Sequence, residues 1–172
     1  ERREGEALFG GLSEFRMPPE ELLAEAGMMK NTANTNIVKH AGRLLALMEA
    51  GKPIEMSNEL ATRGEWDFAG ALIGPMTAHP KEDPETGELL FFGYSPFPPY
   101  LRFHQADASG TLINSVEINL PNPVMMHDFA VSRRHVVFFD LPAVFDLDAM
   151  LTGGAAIEWA PENGARIGVL DR

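Results

Sequence analysis

The chain has 172 residues, enough for one ordinary domain with a sizeable core, and its 45% hydrophobic and 23% charged residues are typical of a globular protein. A net charge of −11 opposes a phosphate backbone and argues against nucleic acid as a partner, while placing no restriction on an uncharged small molecule. The absence of cysteine removes disulfides, zinc–thiolate sites and thiol nucleophiles, and makes a cytoplasmic location the default expectation.

Residues 1–30 read as a short helical or irregular segment. Glu6–Phe9 could close a helix before Gly10-Gly11, and Pro18-Pro19-Glu20-Glu21 puts proline and acids where a helix N-terminus favours them. The polar start Glu1-Arg2-Arg3-Glu4-Gly5-Glu6 has no apolar signal core, and no apolar run reaches the length of a membrane span. From residue 31 to 172 the texture changes to short strands with closely spaced turns. Asn36–His40 and Leu44–Glu49 flank a turn at Ala41-Gly42-Arg43, and Ile54–Ser57 follows after Ala50–Pro53. Thr77–His79 ends the next strand, and Asp83–Gly87 is a turn rich in Asp, Pro and Gly. Leu89–Tyr94, Tyr100–Ala106, Leu112–Leu120, Val136–Asp140 and Arg166–Leu170 complete the series. Alternation puts Leu112, Asn114, Val116, Ile118 and Leu120 on one face. The class is therefore all-β. Glycine-led hairpins recur at Gly42-Arg43-Leu44-Leu45, Gly87-Glu88-Leu89-Leu90 and Gly110-Thr111-Leu112-Ile113, which favours a propeller over a sandwich.

Neutral imidazole is the commonest ligand for borderline metals. His79 and His127 each lie in an apolar run, as a metal at the mouth of a β-structure would need. Taken alone, His79 reads more often as a hydrogen-bonded strand-end histidine than as a ligand, His127 as a core histidine bonded to a backbone carbonyl, and Glu49 as a solvated acid at a strand end. His40 is expected to make a structural hydrogen bond, and His104 and His135 to face solvent. The Asp83–Gly87 run suits a hairpin better than calcium, because too few oxygens converge. Asp146 and Asp148 fit an exposed loop better than an acid pair for hydrolysis. Phe91, Phe92, Phe138 and Phe139 are expected in the core. No Ser-His-Asp arrangement and no phosphate-cradling glycine loop is present.

Seven segments in order carry a resemblance: Asn34-Thr35-Asn36, His40–Leu47, Gly64-Glu65-Trp66-Asp67-Phe68, Thr77-Ala78-His79-Pro80, Asp83–Glu88, Phe92-Gly93-Tyr94 and Met125-Met126-His127-Asp128-Phe129. Over roughly residues 28–172 the chain resembles the carotenoid cleavage oxygenases, a family that includes stilbene-cleaving dioxygenases. The resemblance implies a seven-bladed β-propeller with an iron(II) on its axis, held by four histidines. It implies that dioxygen and a lipophilic polyene or stilbene meet there, and that one double bond is split into two carbonyls. His79 then matches the first ligand and His127 the second. Glu49 matches a glutamate that orients a ligand histidine by accepting its distal N–H. Thr35 falls near the threonine that the family places by the open iron position. The third and fourth histidine motifs are expected beyond Arg172, so residues 31–172 are expected to be the first blades of an incomplete propeller. Lipophilic substrates would also allow peripheral contact with a membrane; the oligomeric state is left open. Stilbene-cleaving members carry a lysine where this chain has Met48, which argues for a greasy polyene over a 4-hydroxystilbene. Two other readings stand beside this one. The first is a non-catalytic propeller segment that acts as a binding module, and the second is a complete small β-barrel that uses His79 and His127 alone.

Overall fold

A computed structural model describes residues 31–172. The expected helical segment at 1–30 lies outside the described residues. Strands β1 (Asn36–His40), β2 (Arg43–Leu47), β3 (Ile54–Met56) and β4 (Thr62–Glu65) form an antiparallel sheet in chain order. A second four-stranded meander follows, with β5 (Lys81–Glu82), β6 (Leu89–Tyr94), β7 (Leu101–Ala106) and β8 (Leu112–Ile118). The third sheet has the order β13-β10-β9, from β9 (Phe129–Val131), β10 (His135–Asp140) and β13 (Arg166–Asp171). Between β10 and β13 the chain makes an excursion through the pair β11 (Ala143–Phe145) and β12 (Ile157–Trp159), with helix α1 (Leu147–Thr152) between them.

The glycine-led hairpins are present as expected. Gly42, Gly87 and Gly110 occupy the β1–β2, β5–β6 and β7–β8 turns with φ of 76°, 72° and 84°. Only glycine takes that region without a Cβ penalty, so these residues set where each hairpin folds back.

The three sheets stack face on face. One buried cluster, with Leu45, Leu47, Phe68, Met76, Leu89 and Phe91, joins the first sheet to the second. Another, with Leu90, Phe92, Phe103, Phe129, Val136 and Phe138, joins the second to the third. Strand β6 serves both, because its alternate residues point to opposite faces and each face meets a neighbour.

Several expectations change in this setting. His104 does not face solvent: it is 0% exposed and stacks on Phe91 at 5.1 Å between ring centroids. It lies on the face of β7 that carries Ala106, which packs in the cluster between the first and second sheets. Phe139 is not core but 37% exposed, because β10 turns Val136 and Phe138 inward and pairs Phe139 with the exposed Ile167. Leu112 does not share a face with Val116 and Ile118. A register shift pairs Ala106 with Leu112 and Gln105 with Asn114, leaving Ile113 as an extra residue. Leu112 consequently packs in the first cluster and Ile118 in the second. Asp146 lies at a helix start, not in a loop: its carboxylate accepts from the Ala149 N–H at 2.8 Å, and Gly153 ends α1 in the left-handed region. Strands β4, β5, β9, β11 and β12 were not anticipated. Each has four residues or fewer, too short for periodicity to mark. His40 makes its structural bond to the Asp107 carbonyl at 2.9 Å, and His135 is exposed.

Burial, with the Arg102 charge adding to it, lowers the His104 pKa from near 6.5 to about 4. A group whose folded pKa is depressed in this sense takes up its proton on unfolding first. Stability is therefore lost as pH falls from about 6.5 to about 4, by about 3 kcal/mol from this residue. Urea unfolding of the native chain and of His104→Asn at pH 7 and pH 4 should show that extra loss only in the native chain. Equal losses would mean that His104 is not buried in its neutral form.

Candidate metal centre

Strand β2 ends at Leu47, so Glu49 belongs to the turn that leads to β3 and not to a strand. His79 lies in irregular chain two residues before β5, not at the end of a strand, and His127 lies two residues before β9. All three donors thus come from connecting segments at one end of three stacked sheets, where side chains are free to converge.

Two local features seat the His79 segment. Its neighbour Thr77 donates its N–H to the Phe92 carbonyl at 2.7 Å, and Pro75 crosses β6 at Gly93. A Cβ on Gly93 would lie 2.1 Å from the Pro75 carbonyl oxygen, so only glycine permits the crossing. The Asn36 amide then donates to the Ala78 carbonyl at 2.8 Å and ties the start of β1 to the same segment. Neither Gly93 nor Asn36 stood out as a positioning residue in the sequence, since both contacts span the fold.

Glu49, His79 and His127 converge. One Glu49 oxygen, Oε1, lies 3.4 Å from His79 Nε2 and 3.4 Å from His127 Nδ1. The ligand atoms offered by the three residues all lie within 4.8 Å of one another. The two imidazole rings meet edge to face at 4.5 Å. Both Glu49 oxygens and His79 Nε2 are buried without a hydrogen-bond partner. Leaving such atoms unpaired costs about 1–3 kcal/mol each. Burial raises the Glu49 carboxyl pKa, and the nearby His127 opposes that rise. Two imidazoles, with a buried carboxylate beside them that can take an imidazole N–H and fix its tautomer, suit a borderline divalent cation.

Thr35 is not part of this group. Its side chain is exposed, its hydroxyl lies 3.5 Å from Asn34 Oδ1, and its N–H extends the β1–β2 ladder to the Leu47 carbonyl at 3.0 Å. The sulfur of Met48 accepts the Thr32 N–H at 3.2 Å. Met48 also lines a cavity of about 290 Å³ with Asn31, Gly51, Lys52, Glu65 and Pro75, to which none of the three donors contributes.

The family model described as retinal pigment epithelial membrane protein matches residues 1–172. The chain belongs to this family, the carotenoid cleavage oxygenases. Among relatives of this carotenoid cleavage oxygenase chain, carotenoid 9,10(9',10')-cleavage dioxygenase 1 of Arabidopsis thaliana is 42% identical over 146 residues, 82% of the chain and 27% of the relative. Isoeugenol monooxygenase of Pseudomonas nitroreducens is 36% identical over the whole chain and 36% of its own length. The crystal structure of lignostilbene dioxygenase from Pseudomonas brassicacearum matches with a TM-score of 0.78 and 38% identity, covering 83% of the chain and 31% of that structure. The chain therefore spans about a third of the relatives it matches. The expected all-β, propeller-type architecture holds for the described residues, with structural neighbours that are carotenoid oxygenase propellers.

Charge at Glu49 is expected to matter for metal retention, not for folding. Glu49→Gln should weaken divalent-metal affinity by roughly 10- to 100-fold, with the thermal midpoint little changed. Isothermal titration of the native and substituted proteins checks this, and an unchanged affinity would remove Glu49 from the site.

Proposed function

We propose that this chain contributes two of the iron ligands, His79 and His127, to an iron(II)-dependent dioxygenase that cleaves a carbon–carbon double bond of a carotenoid or apocarotenoid. The single observation that carries the reading is the convergence of Glu49, His79 and His127, with three buried atoms left without partners. When bound, iron(II) would supply the activation of dioxygen that no side chain here provides. The imidazoles would present neutral nitrogen lone pairs. Glu49 would accept the His127 Nδ1–H and so fix which ring nitrogen faces the metal. Thr35, one residue before the Asn36 tether, would act at the edge of the site near the open position. The remaining ligands would come from residues beyond Arg172.

A lipophilic polyene and dioxygen are the partners this reading requires. It places the protein in the cytoplasm with contact to membrane surfaces, where such a substrate dissolves. Among the described residues no helix is long and apolar enough to cross a membrane. A second reading within the family is cleavage of a stilbene or a related phenylpropenoid, favoured by the likeness to a lignostilbene dioxygenase and an isoeugenol monooxygenase. Met48 weighs against it, because a thioether cannot engage a phenol hydroxyl as an ammonium group does, and here its sulfur already accepts from Thr32.

The test is iron content with dioxygen-dependent cleavage of an apocarotenoid and of a 4-hydroxystilbene, run on the chain and on its natural full-length form. The full-length form should hold iron and release aldehydes from the apocarotenoid, and His79→Ala or His127→Ala should abolish both. Iron that survives both substitutions would exclude these ligands and favour a binding module. Cleavage of the stilbene alone would replace the polyene reading by the second one.

A further inference from the structure

The two histidines belong to different sheets. His79 precedes β5 of the second sheet and His127 precedes β9 of the third, and no backbone ladder joins the two. Apolar packing between the sheets is non-directional and tolerates small slides. A metal site does not tolerate them, since ligand atoms must be held to a fraction of an ångström. A directional contact between the two segments is therefore required close to the imidazoles.

One such contact is present. Lys81 Nζ lies 2.8 Å from Asp128 Oδ1. Lys81 is two residues after His79, and Asp128 immediately follows His127. The same Oδ1 accepts the Phe129 N–H at 2.8 Å, which fixes the carboxylate against its own backbone. Lys81 Nζ also lies 5.6 Å from the Phe129 ring centre, and Phe129 packs edge-on against Phe92 of β6 at 5.1 Å. The ammonium is thus held by a carboxylate and a ring that both belong to the third sheet, while its own backbone pairs with Leu90 in the second. Asp128 itself is not one of the converging donors.

We propose that Lys81 and Asp128 are positioning residues, whose ion pair sets the separation of His79 and His127 across the two sheets. This rests on the metal reading given above. An exposed pair of this kind contributes little to overall stability. Its effect is geometric and should be read in metal affinity, where partners that orient ligands typically matter 10- to 100-fold.

The experiment is Co(II) titration of the full-length protein, followed by the visible absorption of the bound ion, with thermal midpoints measured in parallel. Lys81→Met and Asp128→Asn should each weaken Co(II) binding about tenfold with little change in midpoint, and Lys81→Arg should retain the native affinity. Glu85→Gln breaks the 3.0 Å ion pair to Arg133, which joins the β5–β6 turn to the β9–β10 turn, and should leave affinity unchanged. The Lys81→Met result is decisive, because removing a positive charge beside a cation site should tighten binding if only through-space electrostatics acts. Native or tighter binding by Lys81→Met overturns the proposal. So does an equal loss in Glu85→Gln, which would make the effect one of general sheet docking. If the unsubstituted protein shows no Co(II) binding that depends on His79 and His127, the metal reading itself fails and this one with it.

Discussion

Strand β6 carries Leu89 and Phe91 on one face and Leu90, Phe92 and Tyr94 on the other, and all five are buried. A strand with two apolar faces cannot lie at the surface of a two-layer fold, so the second sheet needs an apolar neighbour on each side. At roughly 25 cal/mol per Å² of apolar area removed from water, burying a single Phe or Leu side chain contributes about 1.5–3 kcal/mol. The stacking of three sheets follows from that requirement. So does the placement of the loops at their ends, and with them of Glu49, His79 and His127. The outer face of the third sheet makes the same demand, with Ile167 and Val169 exposed at 68% and 64%. In a longer propeller a following blade would meet it.

The site is built where the sheets offer least regular structure. Its donors sit on turns and irregular segments, and ladder hydrogen bonds fix none of them. What holds them is a set of single contacts that cross the fold: Thr77 to Phe92, Asn36 to Ala78, and the near approach of Pro75 to Gly93. A site assembled this way draws each ligand from a separate structural unit. Small movements between units then act directly on the metal-binding atoms, and for that reason contacts between sheets carry functional weight beyond their modest contribution to stability. Ion pairs from Arg133 to Glu85 and from Arg172 to Asp83 and Glu88 join the second and third sheets farther out.

The chemistry available to these residues is narrow. Among the described residues Glu49, His79 and His127 form the one group of three or more potential metal donors that converge, and the chain has no cysteine to offer an alternative. The chain belongs to the carotenoid cleavage oxygenases. A buried polar group discriminates strongly because it must be paired, whereas an apolar wall does so weakly. Met48 offers no such group.

The amino-acid sequence by itself determined the all-β class, the glycine positions of three hairpins and the two metal-ligand histidine candidates, because these rest on local rules. Positive φ selects glycine, alternation marks strands of five residues or more, and the motifs that carry the family resemblance, and with it the two histidines, are read without coordinates. It did not determine that His104 is buried, that Phe139 is exposed or that Leu112 turns to the opposite face from Val116. Each of those depends on what covers a strand, or on one extra residue in a ladder, and neither is encoded in local pattern. The convergence of Glu49 with His79 and His127, from positions up to 78 residues apart, was decided by the stacking of three sheets. The partners of Lys81 and Gly93 were decided the same way, since a contact between separate sheets leaves no periodic trace in the chain.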